Sequence, residues 1–208
     1  MEGSKVILCT GGIGSGKSCI VKAFNLIGVP SYDTDSAAKR LYDTDAALLE
    51  EIASIAGADI LKDGKLDKPL FAQRIFSDRK MLEEVEAAVH PAVMRDFEKW
   101  KSAQESEVVM IESAIILEKP QLRSVADYVL AVSLPEEIRV RRVMARDHTT
   151  AQAVRVRMAK QWDDAQREAY ADFVLVPDDK HQLLPEILKI KNLLTGSDKI
   201  VKNGKDRS

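Results

Sequence analysis

Apolar and polar positions along the chain follow two alternating spacings, which predict strands that alternate with helices. Short extended segments typical of strands lie at 6–10, 29–32, 108–111, 127–134 and 173–176. Between them apolar residues recur at helical spacing, as at Ile20, Val21, Phe24 and Ile27. Strands that alternate with helices predict an α/β fold, in which a parallel sheet is flanked by helices on both faces.

The stretch between the second and third strands is long and mostly helical, over residues 36–106. We predict breaks in it at Gly57, at the turn 62–65, at Ser77-Asp78 and at His90-Pro91. An insertion of this kind is suited to bind a substrate. His90 is a candidate contact there, although a His-Pro pair is more often a helix break with a locally satisfied histidine.

Capping signals predict where several helices begin and end. Gly28 is expected to end the first helix as its C′ residue. Pro135 is expected at the first helical position of a helix that runs to about Arg146. Thr149 is then expected to cap a helix from 150 to about 161, and a last amphipathic helix is expected over 181–194, before a polar tail at 195–208.

The loop between the first strand and the first helix carries the most informative motif of the chain. Residues 11–18 read Gly-Gly-Ile-Gly-Ser-Gly-Lys-Ser and fit G-x-x-x-x-G-K-[ST], the phosphate-binding loop. Glycines let backbone N–H groups turn towards phosphate oxygens, and the helix N-terminus adds partial positive charge. Lys17 is expected to reach the β- and γ-phosphates, and the Ser18 hydroxyl to hold Mg²⁺. The expected nucleotide contacts are Gly12, Ile13, Gly14, Ser15, Gly16, Lys17, Ser18 and Cys19.

Three acidic residues follow predicted strands at the edge of the sheet where this loop lies. Asp33 and Asp35 come after the second strand, and Glu112 ends the third. On an extended segment the two aspartates would point to the same side, where a carboxylate can accept a hydroxyl proton or help to hold Mg²⁺. Glu112 is a second candidate metal ligand, through a coordinated water. The alternatives are a helix N-cap for the aspartates and a solvated strand end for Glu112.

Arginines are concentrated after the strand at 127–134. Six of the chain's thirteen arginines stand between positions 139 and 157: Arg139, Arg141, Arg142, Arg146, Arg155 and Arg157. In a chain of net charge −2, this favours a lid, at about 139–161, that closes arginines onto a transferring phosphoryl group. Helical spacing predicts that Arg139, Arg142 and Arg146 share a face. A solvated helix face and a nucleic-acid patch are the alternatives, and the second is disfavoured because basic residues do not dominate elsewhere.

Composition sets only broad limits. With 208 residues and 45% hydrophobic content, the chain can bury a substantial core. Its net charge of −2 points neither to nucleic acid nor to a membrane surface. No apolar run reaches transmembrane length and no signal-peptide pattern opens the chain, so we expect a cytoplasmic protein. Cys9 and Cys19 are too few for a disulfide framework and are expected to be buried or half-buried.

Taken together, these motifs resemble the dephospho-coenzyme A kinases over about residues 5–194. The family's Thr-Gly-Gly-Ile-Gly-Ser-Gly-Lys-Ser stands at 10–18, and its Asp-x-Asp at Asp33 and Asp35. Its Gly-Ala-Asp-Ile-Leu and Asp-Gly-x-Leu-Asp stand at 57–61 and 63–67. Further matches are Phe-Ser-Asp at 76–78, His90-Pro91, Arg146-Asp147, and Arg157 followed by Gln161. The combination is far more specific than the phosphate-binding loop alone.

The chain departs from the family pattern at a few positions. Cys19 stands where the family usually has threonine. The family's Asp-x-Pro-Leu-Leu-Phe-Glu reads Glu112 to Glu118 here, with Ala114 in place of proline. Pro177 replaces an asparagine near the last strand.

The resemblance implies a kinase that uses ATP and Mg²⁺ to phosphorylate the 3′-hydroxyl of dephospho-coenzyme A, giving coenzyme A and ADP. It implies catalytic roles for Asp35, Lys17, Arg142, Arg146 and Asp33, with Asp35 as the base or the group that orients the hydroxyl. Arg157 would add to the ATP site, and Ser18 and Glu112 to the metal site. The acceptor would lie on the helical insertion, with Asp35, His90 and Glu118 as its contacts. The partners would be these two small molecules, with neither nucleic acid nor membrane, and the oligomeric state is left open.

From the residues alone, the inference stops at phosphoryl transfer from a nucleotide to a hydroxyl. A kinase for another small hydroxyl or nucleoside acceptor shares the loop, the acids and the lid. A nucleotide-driven switch is a second alternative. It is disfavoured because the sequence has no Asn-Lys-x-Asp guanine-binding motif and because an arginine-rich lid suits an acceptor kinase better.

Overall fold

The structure is a computed structural model that describes residues 3–178 and 182–196. The chain folds into two compact units. The sheet unit comprises the described residues of Met1–Tyr32 and Gln104–Ser208, and the helical unit comprises Asp33–Ala103. The sequence had predicted a core of 1–35 and 107–194 and an insertion of 36–106.

Strands and helices are labelled in chain order. The strands are β1 (Lys5–Thr10), β2 (Ser31–Asp33), β3 (Leu61–Lys62), β4 (Lys65–Leu66), β5 (Val108–Glu112), β6 (Tyr128–Val132) and β7 (Phe173–Leu175). The helices are α1 (Lys17–Leu26), α2 (Thr34–Thr44), α3 (Ala46–Ala56), α4 (Lys68–Ser77), α5 (Arg79–Ser102), α6 (Glu136–Asp147), α7 (Ala151–Met158), α8 (Asp164–Tyr170) and α9 (Leu183–Leu194).

A five-stranded parallel sheet with the order β2-β5-β1-β6-β7 forms the sheet unit. The central strand β1 pairs with β5 and β6 in parallel, and β6 pairs with β7 in the same sense. All but the first residue of β1 are buried, because helices cover both faces of such a sheet. The predicted parallel sheet flanked by helices is therefore confirmed. In the described part of the chain, β2 and β7 are its edges, and each is three residues long.

The hydrophobic core on one face of the sheet fixes helix α1 directly after the glycine loop. Ile20, Val21 and Phe24 of α1 pack in one cluster with residues of β1 and with Ile187 and Ile190 of α9. Phe24 is fully buried. Helix α1 ends before Gly28, whose φ of +86° is the left-handed conformation expected of a C′ residue, so that prediction is confirmed.

Helix α5 is the centre of the helical unit, where it contacts α2, α3 and α4. The predicted break at His90-Pro91 is wrong, because α5 runs without interruption from Arg79 to Ser102. Proline removes the hydrogen bond to the carbonyl one turn earlier. Burial of an apolar stripe along α5 outweighs that loss: Val85, Ala88, Val89, Ala92, Val93 and Phe97 are buried.

The other predicted breaks in the insertion agree with the structure. Helix α3 ends at Ala56, before Gly57, and α4 ends at Ser77. Asp78 caps α5 by accepting hydrogen bonds from the N–H groups of Lys80 and Met81. The turn at 62–65 joins β3 and β4 as an antiparallel hairpin, and its central residues Asp63 and Gly64 both have positive φ.

The arginine-rich segment forms helices α6 and α7, and α8 follows it, and two of the predicted caps are corrected. Pro135 is the N-cap of α6, one position before the predicted one, because its ψ of 137° lies outside the helical range. Thr150, not Thr149, caps α7, with its side chain accepting from the Ala153 N–H. Helix α8 was not predicted, although Asp163 and Gln166 form a capping box that marks its start.

The last helix, α9, begins at Leu183. Position 181, where it was expected to begin, lies outside the described residues, as do 197–208 of the predicted tail. Among the helices that the structure describes, none combines the length and the apolar character needed to cross a membrane.

Candidate nucleotide-binding site

The glycine loop joins β1 to α1 in a conformation that its glycines make possible. Gly16 is the N-cap of α1 with a φ of +96°, and its carbonyl accepts from the N–H groups of Cys19 and Ile20. At Gly14, with φ +79°, an added Cβ would lie 2.8 Å from both the Arg139 carbonyl oxygen and Val143 Cγ2. Helix α6 therefore packs directly on the loop, at a distance that only glycine allows.

A cavity of about 230 Å³ opens between the loop and α6. Three cations line it: Lys17 from the start of α1, and Arg142 and Arg146 from α6. Its remaining lining residues are Gly12, Gly14, Ser15, Gly16, Ser18, Cys19 and Val143. The structure thus brings together seven of the eight predicted loop residues, all but Ile13, and two of the predicted lid arginines. Backbone N–H groups, a helix N-terminus and three positive side chains suit a polyphosphate.

The two predicted metal ligands, Ser18 and Glu112, are in hydrogen-bond contact beside the glycine loop. The Ser18 hydroxyl donates a hydrogen bond of 3.0 Å to Glu112 Oε1 at the end of β5. A hydroxyl and a carboxylate oxygen suit Mg²⁺, which proteins usually bind through one or two side chains together with substrate phosphates and waters. Among the described residues, no cluster of three or more His, Cys, Asp and Glu side chains could hold a metal ion.

The two cysteines near this site differ from each other. Cys9 is buried in β1, and burial raises the pKa of its thiol to about 12, against a smaller lowering by Lys17. Cys19 is exposed and lines the cavity, so the expectation that both are buried or half-buried is wrong for Cys19. Its place in the first turn of α1, directly after the loop, keeps it at the surface.

The predicted lid arginines do not all face the cavity. Arg142 donates to the Pro177 carbonyl at 2.9 Å. Arg146 pairs with Asp147 at 2.6 Å, and Arg157 of α7 pairs with the same carboxylate at 2.7 Å. Hydrogen bonds from both guanidinium groups hold the pKa of Asp147 well below its usual range. Arg139 is buried and does not line the cavity, although it lies one turn before Arg142 on α6, as the predicted shared face requires.

The two aspartates after β2 have different local roles. Asp33 is the N-cap of α2, and its carboxylate accepts from the N–H groups of Asp35 and Ser36 and from the Ser36 hydroxyl at 2.5 Å. Asp35 is exposed in the first turn of the helix. The expectation that both lie on an extended segment with parallel side chains is therefore wrong, because the helix already begins at Thr34.

The other two predicted acceptor contacts have partners of their own. His90 is half-buried within α5 of the helical unit. Glu118 follows β5 in a 3-10 turn of the sheet unit, Ile116–Glu118. Its Oε1 accepts from the Trp162 N–H at 2.9 Å and from Arg167 Nη2 at 3.2 Å. Sequence reasoning missed Arg167, because no local pattern pairs position 118 with position 167.

Comparison with known proteins identifies relatives over most of the chain. The family model described as dephospho-CoA kinase matches residues 5–182. A dephospho-CoA kinase of Porphyromonas gingivalis is 38% identical over 182 residues, which cover 87% of this chain and 90% of the relative. One of Methylococcus capsulatus is 33% identical over 172 residues, covering 82% of this chain and 86% of the relative.

Solved structures show the same fold. A protein of Thermus thermophilus is 30% identical with a TM-score of 0.78, covering 94% of this chain and 98% of that one. A dephospho-CoA kinase of Campylobacter jejuni has a TM-score of 0.60 at 21% identity, covering 92% and 97%. A shikimate kinase of Acinetobacter baumannii has a TM-score of 0.51 at 14% identity, covering 95% and 96%. The last two are similar in fold alone.

Proposed function

The chain belongs to the dephospho-CoA kinase family, and we propose that it transfers the γ-phosphoryl group of ATP to the 3′-hydroxyl of dephospho-coenzyme A. The products are coenzyme A and ADP. The observation that carries the proposal is the cavity in which the loop residues and the cations Lys17, Arg142 and Arg146 come together. Such a site fits a triphosphate and opposes the charge that develops on a transferring phosphoryl group.

The loop binds and orients the nucleotide. Its backbone N–H groups and the N-terminus of α1 hold the phosphates, and Lys17 reaches the β- and γ-phosphates. Arg142 and Arg146 neutralise charge on the γ-phosphoryl group from the side of α6. Arg157 acts on the site through Asp147, which it shares with Arg146.

Ser18 and Glu112 are the residues that would hold Mg²⁺. When bound, Mg²⁺ neutralises charge on the phosphate oxygens and fixes their orientation. The Ser18 hydroxyl is already oriented by its hydrogen bond to Glu112, so both oxygens are held at the loop before a metal arrives.

Asp35 supplies the base. Its carboxylate accepts the proton of the acceptor's 3′-hydroxyl while that oxygen forms its bond to the γ-phosphorus, and the bond from this phosphorus to the ADP oxygen breaks. Asp33 keeps α2, and with it Asp35, in place by capping the helix. The helical unit binds the rest of the acceptor.

The direct test is an assay of ADP release with ATP, Mg²⁺ and a panel of acceptors: dephospho-coenzyme A, adenosine, shikimate and gluconate. We expect turnover with dephospho-coenzyme A, a product heavier by one phosphoryl group in mass spectrometry, and none for Lys17→Ala. Faster turnover with another acceptor would identify a different kinase. ADP release that needs no acceptor would support the nucleotide-driven switch and overturn the proposal.

A further inference from the structure

Four charged side chains lie together in the sheet unit, outside the lining of the nucleotide cavity, and the two arginines among them are buried. They are Arg139 of α6, Asp164 and Arg167 of α8, and Glu118 of the 3-10 turn after β5, and we refer to them as the charge cluster. The side chain of Arg167 is 1% exposed and that of Arg139 is 9% exposed. Arg139 Nη2 lies 3.5 Å from Asp164 Oδ2, and Arg167 Nη2 lies 3.2 Å from Glu118 Oε1.

Stability alone does not explain this cluster. The attraction within a buried ion pair roughly offsets the free-energy cost of removing its charges from water. It does so only when all the polar groups of the pair are hydrogen-bonded. Arg139 Nε, Arg167 Nε and Nη1, and Asp164 Oδ1 are buried and have no hydrogen-bond partner. Burial also lowers the pKa of Arg167 and raises that of Asp164, which means that burial disfavours the charged form of both side chains. Apolar residues of similar size would hold these helices together at least as well.

The cluster touches the phosphate-binding loop itself. A Cβ added to Gly12 would lie 2.0 Å from Arg139 Nη1 and 3.4 Å from Arg167 Nη1. The Arg139 guanidinium therefore packs against the backbone of Gly12, and the Arg167 guanidinium lies close to the same residue. The next residue of the loop, Ile13, donates its N–H to Gln161 Oε1 at 3.0 Å, and Gln161 lies shortly before α8. The loop is thus held by the segment that carries the cluster as well as by β1 and α1.

The cluster also reaches the proposed metal ligand through the chain that follows β5. Residues 112–118 run from Glu112, which accepts from Ser18, to Glu118, which accepts from Arg167. Arg139 lies one turn before Arg142 on α6. The loop and α6, which line the nucleotide cavity, and the segment after β5, which carries the proposed metal ligand Glu112, therefore all contact the cluster.

We propose that Arg167 and Glu118 are positioning residues, which hold Gly12 and the segment of Glu112 in the geometry that binds the triphosphate. The proposal deepens the function proposed above and rests on it for the identity of the nucleotide. It also changes the expectation for Glu118, because this carboxylate acts through Arg167 on the nucleotide site and does not contact the acceptor.

The test uses the charge-neutral pair Arg167→Met/Glu118→Gln in the full chain. Arg167→Met alone leaves the largely enclosed carboxylate of Glu118 without its cation and is expected to lower Tm. The double variant removes both charges, leaves Arg139 paired with Asp164, and is expected to recover most of that Tm. If the pair positions the loop, the double variant still binds ATP about 10- to 100-fold more weakly, because small displacements at such a site have effects of this size.

Binding of ATP is measured by calorimetry without acceptor, so this readout does not depend on the acceptor being dephospho-coenzyme A. Turnover then gives the KM for each substrate. We expect the KM for ATP to rise and the KM for dephospho-coenzyme A to stay within about 2-fold, since the residues touch the loop. Arg167→Lys keeps the charge and is expected to bind ATP with intermediate affinity.

A destabilising change in the apolar core, Ile190→Ala in α9, serves as the matched control. It lowers Tm and is expected to leave the affinity for ATP unchanged. ATP affinity and kcat like those of the unmodified protein in the double variant would show that the cluster is only structural and would overturn the proposal. A rise confined to the KM for dephospho-coenzyme A in Glu118→Gln would overturn it too, because Glu118 would then be an acceptor contact.

Discussion

At the scale of single residues, Asp35 and Asp33 differ although they are two positions apart. Asp35 is exposed, whereas the Asp33 carboxylate caps α2. We predict that Asp35→Asn lowers kcat by about 100-fold or more while ATP affinity is kept, because the proton acceptor is lost. Steady-state kinetics and calorimetry would measure both quantities. A near-normal kcat would show that Asp35 is not the base.

Asp33 provides the comparison for that prediction. Asparagine is as good an N-cap as aspartate, so Asp33→Asn is expected to lower kcat much less than Asp35→Asn does. Asp33→Ala removes the cap and should lower the free energy of unfolding by about 1 kcal/mol. If Asp33→Asn were as inactive as Asp35→Asn, the carboxylate of Asp33 would take part in the chemistry as well.

The two cysteines give a second prediction at this scale. Cys9 is fully buried with a thiol pKa of about 12, whereas Cys19 is exposed in the nucleotide cavity. Iodoacetamide at neutral pH should modify Cys19 alone in the folded protein, because the thiolate is the reactive form. ATP should slow this reaction. Peptide mass spectrometry identifies the modified residue, with Cys19→Ser as the control, and modification of Cys9 at a similar rate would contradict the structure.

At the scale of elements, the contact between the loop and α6 predicts the effect of a single methyl group. Gly14→Ala would meet the Arg139 carbonyl and Val143 at 2.8 Å and strain a left-handed backbone. We expect ATP affinity to fall by about 10-fold or more, because the loop must move. Calorimetry measures the affinity and urea unfolding the stability.

Gly28→Ala is the matched control for Gly14→Ala. Gly28 has a similar φ of +86°, but an added Cβ there would meet no atom within 4 Å. Its backbone strain should lower stability by about 1 kcal/mol without weakening ATP binding. Equal losses of ATP affinity in both variants would show that backbone strain, and not the approach of α6, sets the requirement for glycine.

The junction of α6 and α7 has a defined pH dependence. Arg146 and Arg157 lower the pKa of Asp147 in the folded state. The stabilising effect of this carboxylate is therefore complete above its unfolded pKa of about 4 and is lost as the pH falls through the lower folded pKa. We predict that the stability difference between the unmodified protein and Asp147→Asn is constant above about pH 5 and shrinks in acid. Urea unfolding at several pH values tests this, and a difference that grows in acid would contradict it.

Elements with local signals could be predicted from the sequence, and those that depend on distant contacts could not. The strand, glycine loop and helix at the start of the chain are encoded by neighbouring residues. Pro91 predicts a break that packing of α5 against three other helices prevents. The site shows the same limit, because Arg167 and Glu118 are 49 positions apart and only the fold brings them together.

At the scale of the whole molecule, the two compact units predict where each substrate acts. Hydrogen exchange should show protection by ATP at 11–20 and in α6, and protection by dephospho-coenzyme A in the helical unit, Asp33–Ala103. Bound ligand also raises stability, by about 2.7 kcal/mol at a concentration 100 times its Kd. Protection by dephospho-coenzyme A restricted to the sheet unit would contradict the role proposed for the insertion.

The short strands at both margins of the sheet have a consequence for solubility during folding and storage. An unpaired strand edge can template β-pairing with a foreign chain, and long, flat, apolar edges are the most hazardous. Here β2 and β7 offer three residues each, and proline precedes the first at Pro30 and follows the second at Pro177. Proline has no N–H to donate, so an intermolecular ladder could not lengthen past either position. The margins of this sheet are thus poor seeds for amyloid-like growth.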